Sequence, residues 1–149
     1  MVPFPPHFWC LLVRTDFTDD AAWAQVVEEA TRPSPEGFLA NVTPFSDPGA
    51  DGVGWETLRD AAMSPVTDNW SAVLFVADSA TLGSADHPIL VVSTSRFHRD
   101  RHPDEFAAMQ PFRCIPSQLW SVENNLNLAN LDWRDFAQHV DGSGVFRGF

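Results

Sequence analysis

Two aspartates follow apolar runs of strand length, where they could supply acid–base or metal-binding chemistry. Asp16 comes shortly after residues 8–13, and Asp78 directly follows residues 72–77. In an open parallel sheet, ligands bind beyond the carboxyl ends of the strands, so both carboxylates are candidate catalytic groups. Such a pair could share a proton or hold a divalent cation. The alternative interpretation is turn formation, an ordinary role for aspartate after a strand.

A second candidate site is the segment 120–130, which is rich in asparagine. Trp120, Glu123, Asn124 and Asn127 recur at the spacing i, i+3, i+4, i+7 and would share one helix face. Asparagine is a poor helix former, so its abundance here indicates a role beyond helix formation. We therefore predict a ligand-binding face on these residues, with Glu123 also a candidate catalytic acid. The alternative is a polar network that joins this helix to neighbouring loops.

A third candidate is a short cluster of basic and histidine side chains. The cluster consists of Arg96, His98, Arg99, Arg101 and His102. Arginines bind anions through charge-assisted hydrogen bonds, so Arg96, Arg99 and Arg101 are candidates for docking an anion or an acidic partner. No metal site is predicted, because Pro103 makes a regular helix that would hold the two histidines doubtful.

The overall charge restricts the classes of partner. The chain of 149 residues has 20 acidic and 9 basic side chains, a formal net charge of −11. We expect neither nucleic acid nor a membrane as a partner, because both require a cationic surface. All the basic residues are arginine, and the sequence contains no glycine-rich nucleotide loop, so no cofactor is predicted.

Apolar patterns that alternate between strand and helix predict an α/β fold. The strand candidates are residues 8–13, 38–42, 72–77, 88–94 and 112–115. We expect a single three-layer domain over residues 8–149, preceded by a Pro-rich extension at residues 1–7. Its sheet should be mainly parallel, with about five strands and helices on both faces, and should end in a C-terminal pair of helices. The directions of residues 88–94 and 112–115 and the role of residues 95–111 stay open.

Cysteine usage and the N-terminus predict a cytoplasmic location. Cys10 and Cys114 are too few for a disulfide framework and lie in apolar stretches, as buried reduced thiols do. The first seven residues contain three prolines and no basic side chain, unlike a secretory signal peptide. The absence of lysine is typical of high-GC bacterial genomes.

Several segments resemble an uncharacterised family of small acidic actinobacterial proteins, a domain of unknown function. The resemblance rests on the motifs Leu-Val-Arg-Thr-Asp-Phe (residues 12–17), Trp-Ser-Val-Glu-Asn-Asn (residues 120–125) and the C-terminal Phe-Arg-Gly-Phe (residues 146–149). It covers most of the chain from Leu11 onward, whereas residues 95–111 are longer than the corresponding link in the family. The resemblance implies no activity. It does imply that Asp16, Asp78, Trp120, Glu123, Asn124 and residues 146–149 belong to the shared design.

Two functional hypotheses follow, and whether the protein is an enzyme stays open. The first is a non-catalytic binding or accessory protein of regulatory or immunity type, with a protein, a peptide or a small polar molecule as its ligand. The second is a small cofactor-independent biosynthetic enzyme, a lyase, cyclase or isomerase, that uses Asp16, Asp78 and Glu123. Both place the two aspartates and the Trp120 face around a common hollow. A homodimer is a further expectation from base rates alone.

Overall fold

One mixed sheet organises the chain, as seen in a computed structural model that describes residues 2–6 and 8–149. Its strands in the described ranges are β1 (Leu11–Arg14), β2 (Thr43–Phe45), β3 (Val73–Ala77), β4 (Ile89–Ser93), β5 (Phe112–Cys114) and β6 (Val145–Phe146). The spatial order is β2-β1-β3-β4-β5-β6. Strand β1 pairs in parallel with β2 and β3, β4 is antiparallel to both neighbours, and β6 is parallel to β5.

Helices cover both faces of this sheet. They are α1 (Asp20–Thr31), α2 (Trp55–Ala62), α3 (Ser79–Gly83), α4 (Arg96–Arg101), α5 (Pro103–Ala108), α6 (Leu119–Asn127) and α7 (Trp133–Ala137). Because strand residues alternate between faces, Leu12 and Phe75 pack with α1, α6 and α7, whereas Leu11 and Leu74 pack with α2. The predicted α/β class, with a mostly parallel sheet between helical layers, is confirmed.

The second strand lies further along the chain than the sequence predicts. Residues 38–42 alternate in polarity, but they form no ladder, and β2 begins only at Thr43. Their backbone instead bonds to α6: the carbonyl of Leu39 accepts from Asn124, and the N–H of Asn41 donates to Glu123. The prediction of a strand here is wrong, because side chains on a helix occupy the backbone groups that a strand would pair.

The connections explain the direction of β4. Helix α3 has only five residues, so the link after β3 is too short for a parallel crossover, and the chain returns antiparallel. Residues 95–111, whose role the sequence leaves open, contain two short helices, α4 and α5. The apolar C-terminus joins the sheet as β6 beside β5.

Residues 2–6 of the Pro-rich N-terminal segment pack against the domain and do not extend away from it. Val2 is buried, and the ring of Phe4 meets that of Phe45 edge to face, with 5.1 Å between centroids. The carbonyl of Pro6 accepts from the N–H of Asp68 at 2.7 Å. The first and seventh residues of the predicted extension lie outside the described residues.

Candidate functional site

Asp16 forms a local turn after β1. One of its carboxylate oxygens accepts hydrogen bonds from the hydroxyl and the backbone N–H of Thr18, at 2.6 and 2.9 Å. These two bonds lower the pKa of Asp16, and the negative charge of Asp78 acts in the opposite sense. Because Arg14 pairs with Ala77 in adjacent parallel strands, Asp16 and Asp78 both lie at the carboxyl edge of the sheet, as the sequence predicts.

Asp78 is held by an arginine and by a helix start. The guanidinium of Arg113 donates to both carboxylate oxygens, at 2.9 and 2.8 Å, and the N–H of Thr81 donates at 3.1 Å. Burial acts to raise the pKa of Asp78, but the bonds from Arg113 and Thr81 outweigh it and hold the pKa below its ordinary value. Both oxygens are thus occupied by groups of the protein itself.

Glu123 lies inside the protein, where only 2% of its surface is exposed. One carboxyl oxygen accepts from the backbone N–H of Asn41 and from the side-chain amide of Asn124 at 3.1 Å. The other accepts from the amide of Asn127 at 2.9 Å. Three N–H donors therefore satisfy this buried group.

The remaining groups of the α6 face connect the helix to its surroundings. The amide oxygen of Asn127 accepts from the N–H of Ala72 at 2.7 Å and from the hydroxyl of Ser71 at 3.1 Å, just before β3 begins. Trp120 stacks on Phe38, with 4.8 Å between centroids and 12° between ring planes. In this arrangement the predicted ligand-binding face attaches α6 to the segments that precede β2 and β3.

The expectation of a common hollow is wrong. Asp78 follows the carboxyl end of β3, whereas Asn127 binds the segment just before its amino end. At about 3.3 Å per residue, the five residues of β3 place these ends more than about 15 Å apart. Asp16 and Asp78 therefore share one edge of the sheet, and the Glu123 network lies at the opposite edge.

A cavity of about 460 Å³, hereafter the Trp70 cleft, opens at that opposite edge. Its apolar lining consists of Trp70, Phe97, Met109, Leu126, Leu131 and Trp133. Ala72, before β3, and Ser93, at the end of β4, form its floor beside the sheet. Trp70 and Phe97 are 70% and 59% exposed, so two large rings stand open to solvent at its rim.

Arg96 and Arg101 of the basic cluster line the Trp70 cleft, Arg99 does not, and the three arginines differ in their contacts. Arg96 donates to the backbone carbonyls of Asn69, Met63, Ser64 and Thr67, at 2.8–3.3 Å. Arg99 pairs with Asp100 at 2.8 Å and also donates to the carbonyl of Met63. Arg101 is exposed and lines the cleft, and its side chain forms no hydrogen bond or ion pair within the described ranges.

The two carboxylates that line the Trp70 cleft already have partners. The pKa of Asp100 is lowered by its hydrogen bond from Arg99. Asp132 caps α7 through a reciprocal capping box with Asp135. Asp100 is therefore hydrogen-bonded to an arginine outside the lining, while Arg96 and Arg101 share the cleft with both carboxylates.

Among residues 2–6 and 8–149, no three histidine, cysteine, aspartate or glutamate side chains are placed to hold a metal ion. His98 instead lies 2.7 Å from the hydroxyl of Ser95, which caps α4, and 3.8 Å from Glu105. His102 packs its ring near Phe97, with 5.2 Å between centroids. These histidines support α4 and the rim of the Trp70 cleft.

The C-terminal motif has a structural role. Phe146 is fully buried, and Arg147 bridges Asp86 and Asp141 at 2.7 Å each. Gly148 has a φ of +111°, and a Cβ there would lie 3.3 Å from the side chain of Gln118. The motif thus ties the chain end to two loops and to the segment before α6.

The sequence interpretation missed most of the Trp70 cleft. Trp133 begins α7 and belongs to none of the three candidate sites, and Trp70 and Leu131 lie in loops without a periodic pattern. The sequence signal that indicated this site was the basic cluster at residues 96–102, of which Arg96, His98 and Arg101 line the Trp70 cleft.

The sheet, its helical layers and the Trp70 cleft define an α/β protein with a preformed cavity of ligand size. Residues 9–149 match the family described as a domain of unknown function (DUF6924), and the chain belongs to that family. The expected membership of an uncharacterised family is confirmed. No curated protein matches the chain. None of the helices in the described ranges is long and apolar enough to cross a membrane.

Proposed function

We propose that this protein is a non-catalytic binding protein and that the Trp70 cleft is its ligand site. The observation that carries the proposal is the cleft itself, about 460 Å³ with a mainly apolar lining. Sites for small molecules have volumes of about 300–1,000 Å³ and combine apolar walls with a few polar groups. The sequence leads us to expect a protein, a peptide or a small polar molecule as the ligand. This volume favours a small molecule, and the lining favours one that is mainly apolar and not polar.

The rim of the Trp70 cleft supports the same proposal. Trp70 and Phe97 each expose more than half of their surface, although the burial of large aromatic side chains stabilises a folded protein. Exposed apolar surface that is contiguous with a cavity is typical of interaction sites. A ligand in the cleft would cover both rings.

The non-catalytic interpretation is supported by the contacts of the acidic side chains. Asp78 binds Arg113 and the start of α3, and Glu123 binds N–H groups of two loops and of its own helix. Carboxyl groups that hold the fold in this way are poorly placed to exchange protons with a substrate. The enzymatic alternative depended on a common hollow, so we do not propose it.

The proposal is tested with the neutral apolar dye N-phenylnaphthylamine, whose fluorescence rises in an apolar site. We expect saturable binding to the wild type and at least about fivefold weaker binding to Phe97→Ala, which removes a rim contact. Leu128→Ala is the matched control, because Leu128 is also an exposed apolar residue but lies outside the cleft. No dye binding, or equal losses in both variants, would refute the proposal.

We further propose a cytoplasmic accessory role in an actinobacterium. Cys10 and Cys114 are buried free thiols, and burial raises the pKa of both, so neither is prepared for oxidation. The lysine-free composition supports the proposed bacterial origin. A fractionated native lysate tests the location: the protein should appear in the cytoplasmic fraction, and recovery outside the cell would contradict it.

A further inference from the structure

We infer that the ligand of the Trp70 cleft is an apolar organic acid whose carboxylate binds Arg101. This inference rests on the proposed function and adds the chemical class of the ligand. It follows from the juxtaposition of an apolar cavity with an arginine side chain that is exposed, lines that cavity and forms no hydrogen bond within the described part of the chain.

Arg101 is the arginine of its cluster whose donors remain available. The charge of Arg101 acts on Asp100, which is already hydrogen-bonded to Arg99 at 2.8 Å. A guanidinium presents a planar fork of N–H donors that matches the two oxygens of a carboxylate. A carboxylate at one end of an apolar ligand fits this fork.

Arg96 adds a second positive charge to the same wall. Its hydrogen bonds go to backbone carbonyls and to the hydroxyl of Thr67, which are neutral, so its charge is not cancelled by an acidic partner. Its guanidinium lies over the ring of Trp70, 5.4 Å from the centroid. Arg96 thus packs against the rim ring and contributes a positive charge to the cleft.

The concentration of arginine at this wall contrasts with the rest of the chain. Three of the nine basic residues fall within residues 96–101, in a protein of net charge −11. Screening limits the repulsion from distant acidic groups to about 8 Å at physiological salt. An anion at Arg101 therefore experiences mainly the charges of the cleft itself, where Arg96 and Arg101 lie beside Asp100 and Asp132.

The test compares octanoate with octanol, which share a chain length and differ in charge. Binding is measured by displacement of N-phenylnaphthylamine, in wild type and in Arg101→Gln. We expect octanoate to bind wild type about five- to tenfold more tightly than octanol, and Arg101→Gln to abolish that preference without changing the affinity for octanol. Arg134→Gln is the matched control, because Arg134 is exposed and lies outside the cleft.

The outcomes separate this inference from the proposed function. Equal affinities for octanoate and octanol in wild type would overturn the inference while dye binding still upheld a binding site. An octanoate preference that survives in Arg101→Gln would also overturn it. Failure of the dye, octanol and octanoate to bind would refute both the inference and the proposed function.

Discussion

Glu123 is a buried carboxyl group with no basic side chain beside it in the described ranges. Its two oxygens instead accept N–H bonds from Asn41, Asn124 and Asn127. An unsatisfied buried polar group costs about 1–3 kcal/mol, so each of these donors contributes to stability. At the residue scale, Glu123 is a candidate catalytic acid by sequence, but its contacts are those of a structural residue.

We predict that Glu123→Gln lowers the free energy of unfolding by about 1–3 kcal/mol. The new amide would replace one carboxyl oxygen by an NH2 group, which would face the N–H donors that now bind that oxygen. Urea denaturation measures the loss. Glu28→Gln is the control, because Glu28 is an exposed helical glutamate in a surface ion pair, and it should behave like the wild type. Equal stability of Glu123→Gln and wild type would contradict a structural role.

The lowered pKa of Asp78 predicts that its contribution to the free energy of unfolding depends on pH. Because its pKa in the folded protein lies below the ordinary value of 3.8, its contribution is fully present above that pH and is lost as the pH falls through the folded value. Asp78→Asn should therefore be less stable than wild type near neutral pH, by about 1.5–3 kcal/mol. The difference should shrink below about pH 3.8.

The measurement for Asp78→Asn is urea denaturation at a series of pH values. Asp60→Asn serves as the control, since Asp60 is exposed and forms no hydrogen bond or ion pair among the residues described. A difference between Asp78→Asn and wild type that is the same at all pH values would show that the Asp78 charge does not stabilise the fold.

At the scale of elements, the sequence was most informative where one local signal dominates. The apolar run at residues 73–77 is buried throughout and forms a central strand, as predicted. Residues 38–42 failed because their partners lie on α6, about 80 residues away, and no local pattern shows such a contact.

The end of α6 carries backbone strain that a substitution should relieve. Ala129 has a φ of +56°, a left-handed conformation that glycine adopts more readily than alanine. We predict that Ala129→Gly raises the free energy of unfolding by about 0.5–1 kcal/mol, measured by urea denaturation. His87 also has a positive φ, +48°, but its ring lies 3.2 Å from Glu29. His87→Gly would relieve strain and lose that contact, so it is the contrasting substitution. Destabilisation by Ala129→Gly would contradict the assignment of strain.

At the scale of the whole molecule, the two edges of the sheet differ in use. The carboxyl edge of β1 and β3 holds aspartates that are engaged in a turn, a helix cap and an ion pair. The opposite edge holds the Trp70 cleft, which draws its walls from α4, α6, α7 and the loop before β3. The proposed ligand site therefore lies at the opposite edge from the carboxyl ends of β1 and β3, where ligands of parallel sheets usually bind.

The sequence could identify only one part of this site, and the reason is topological. Residues 96–102 stood out by composition, whereas Leu131 and Trp133 come from a segment about 30 residues later. They meet because antiparallel β4 ends beside the start of β3, which brings Ser93 next to the chain before Val73. The direction of β4 was open from the sequence, so the juxtaposition could not be predicted.

The most direct test of ligand binding in the Trp70 cleft follows the six tryptophan indole N–H signals by two-dimensional proton–nitrogen NMR while octanoate is added. Only Trp70 and Trp133 line the cleft. We predict that these two signals shift and saturate together, while those of Trp9, Trp23, Trp55 and Trp120 stay in place. Unchanged Trp70 and Trp133 signals at saturating octanoate, or shifts centred on the other four, would contradict a ligand site in the cleft.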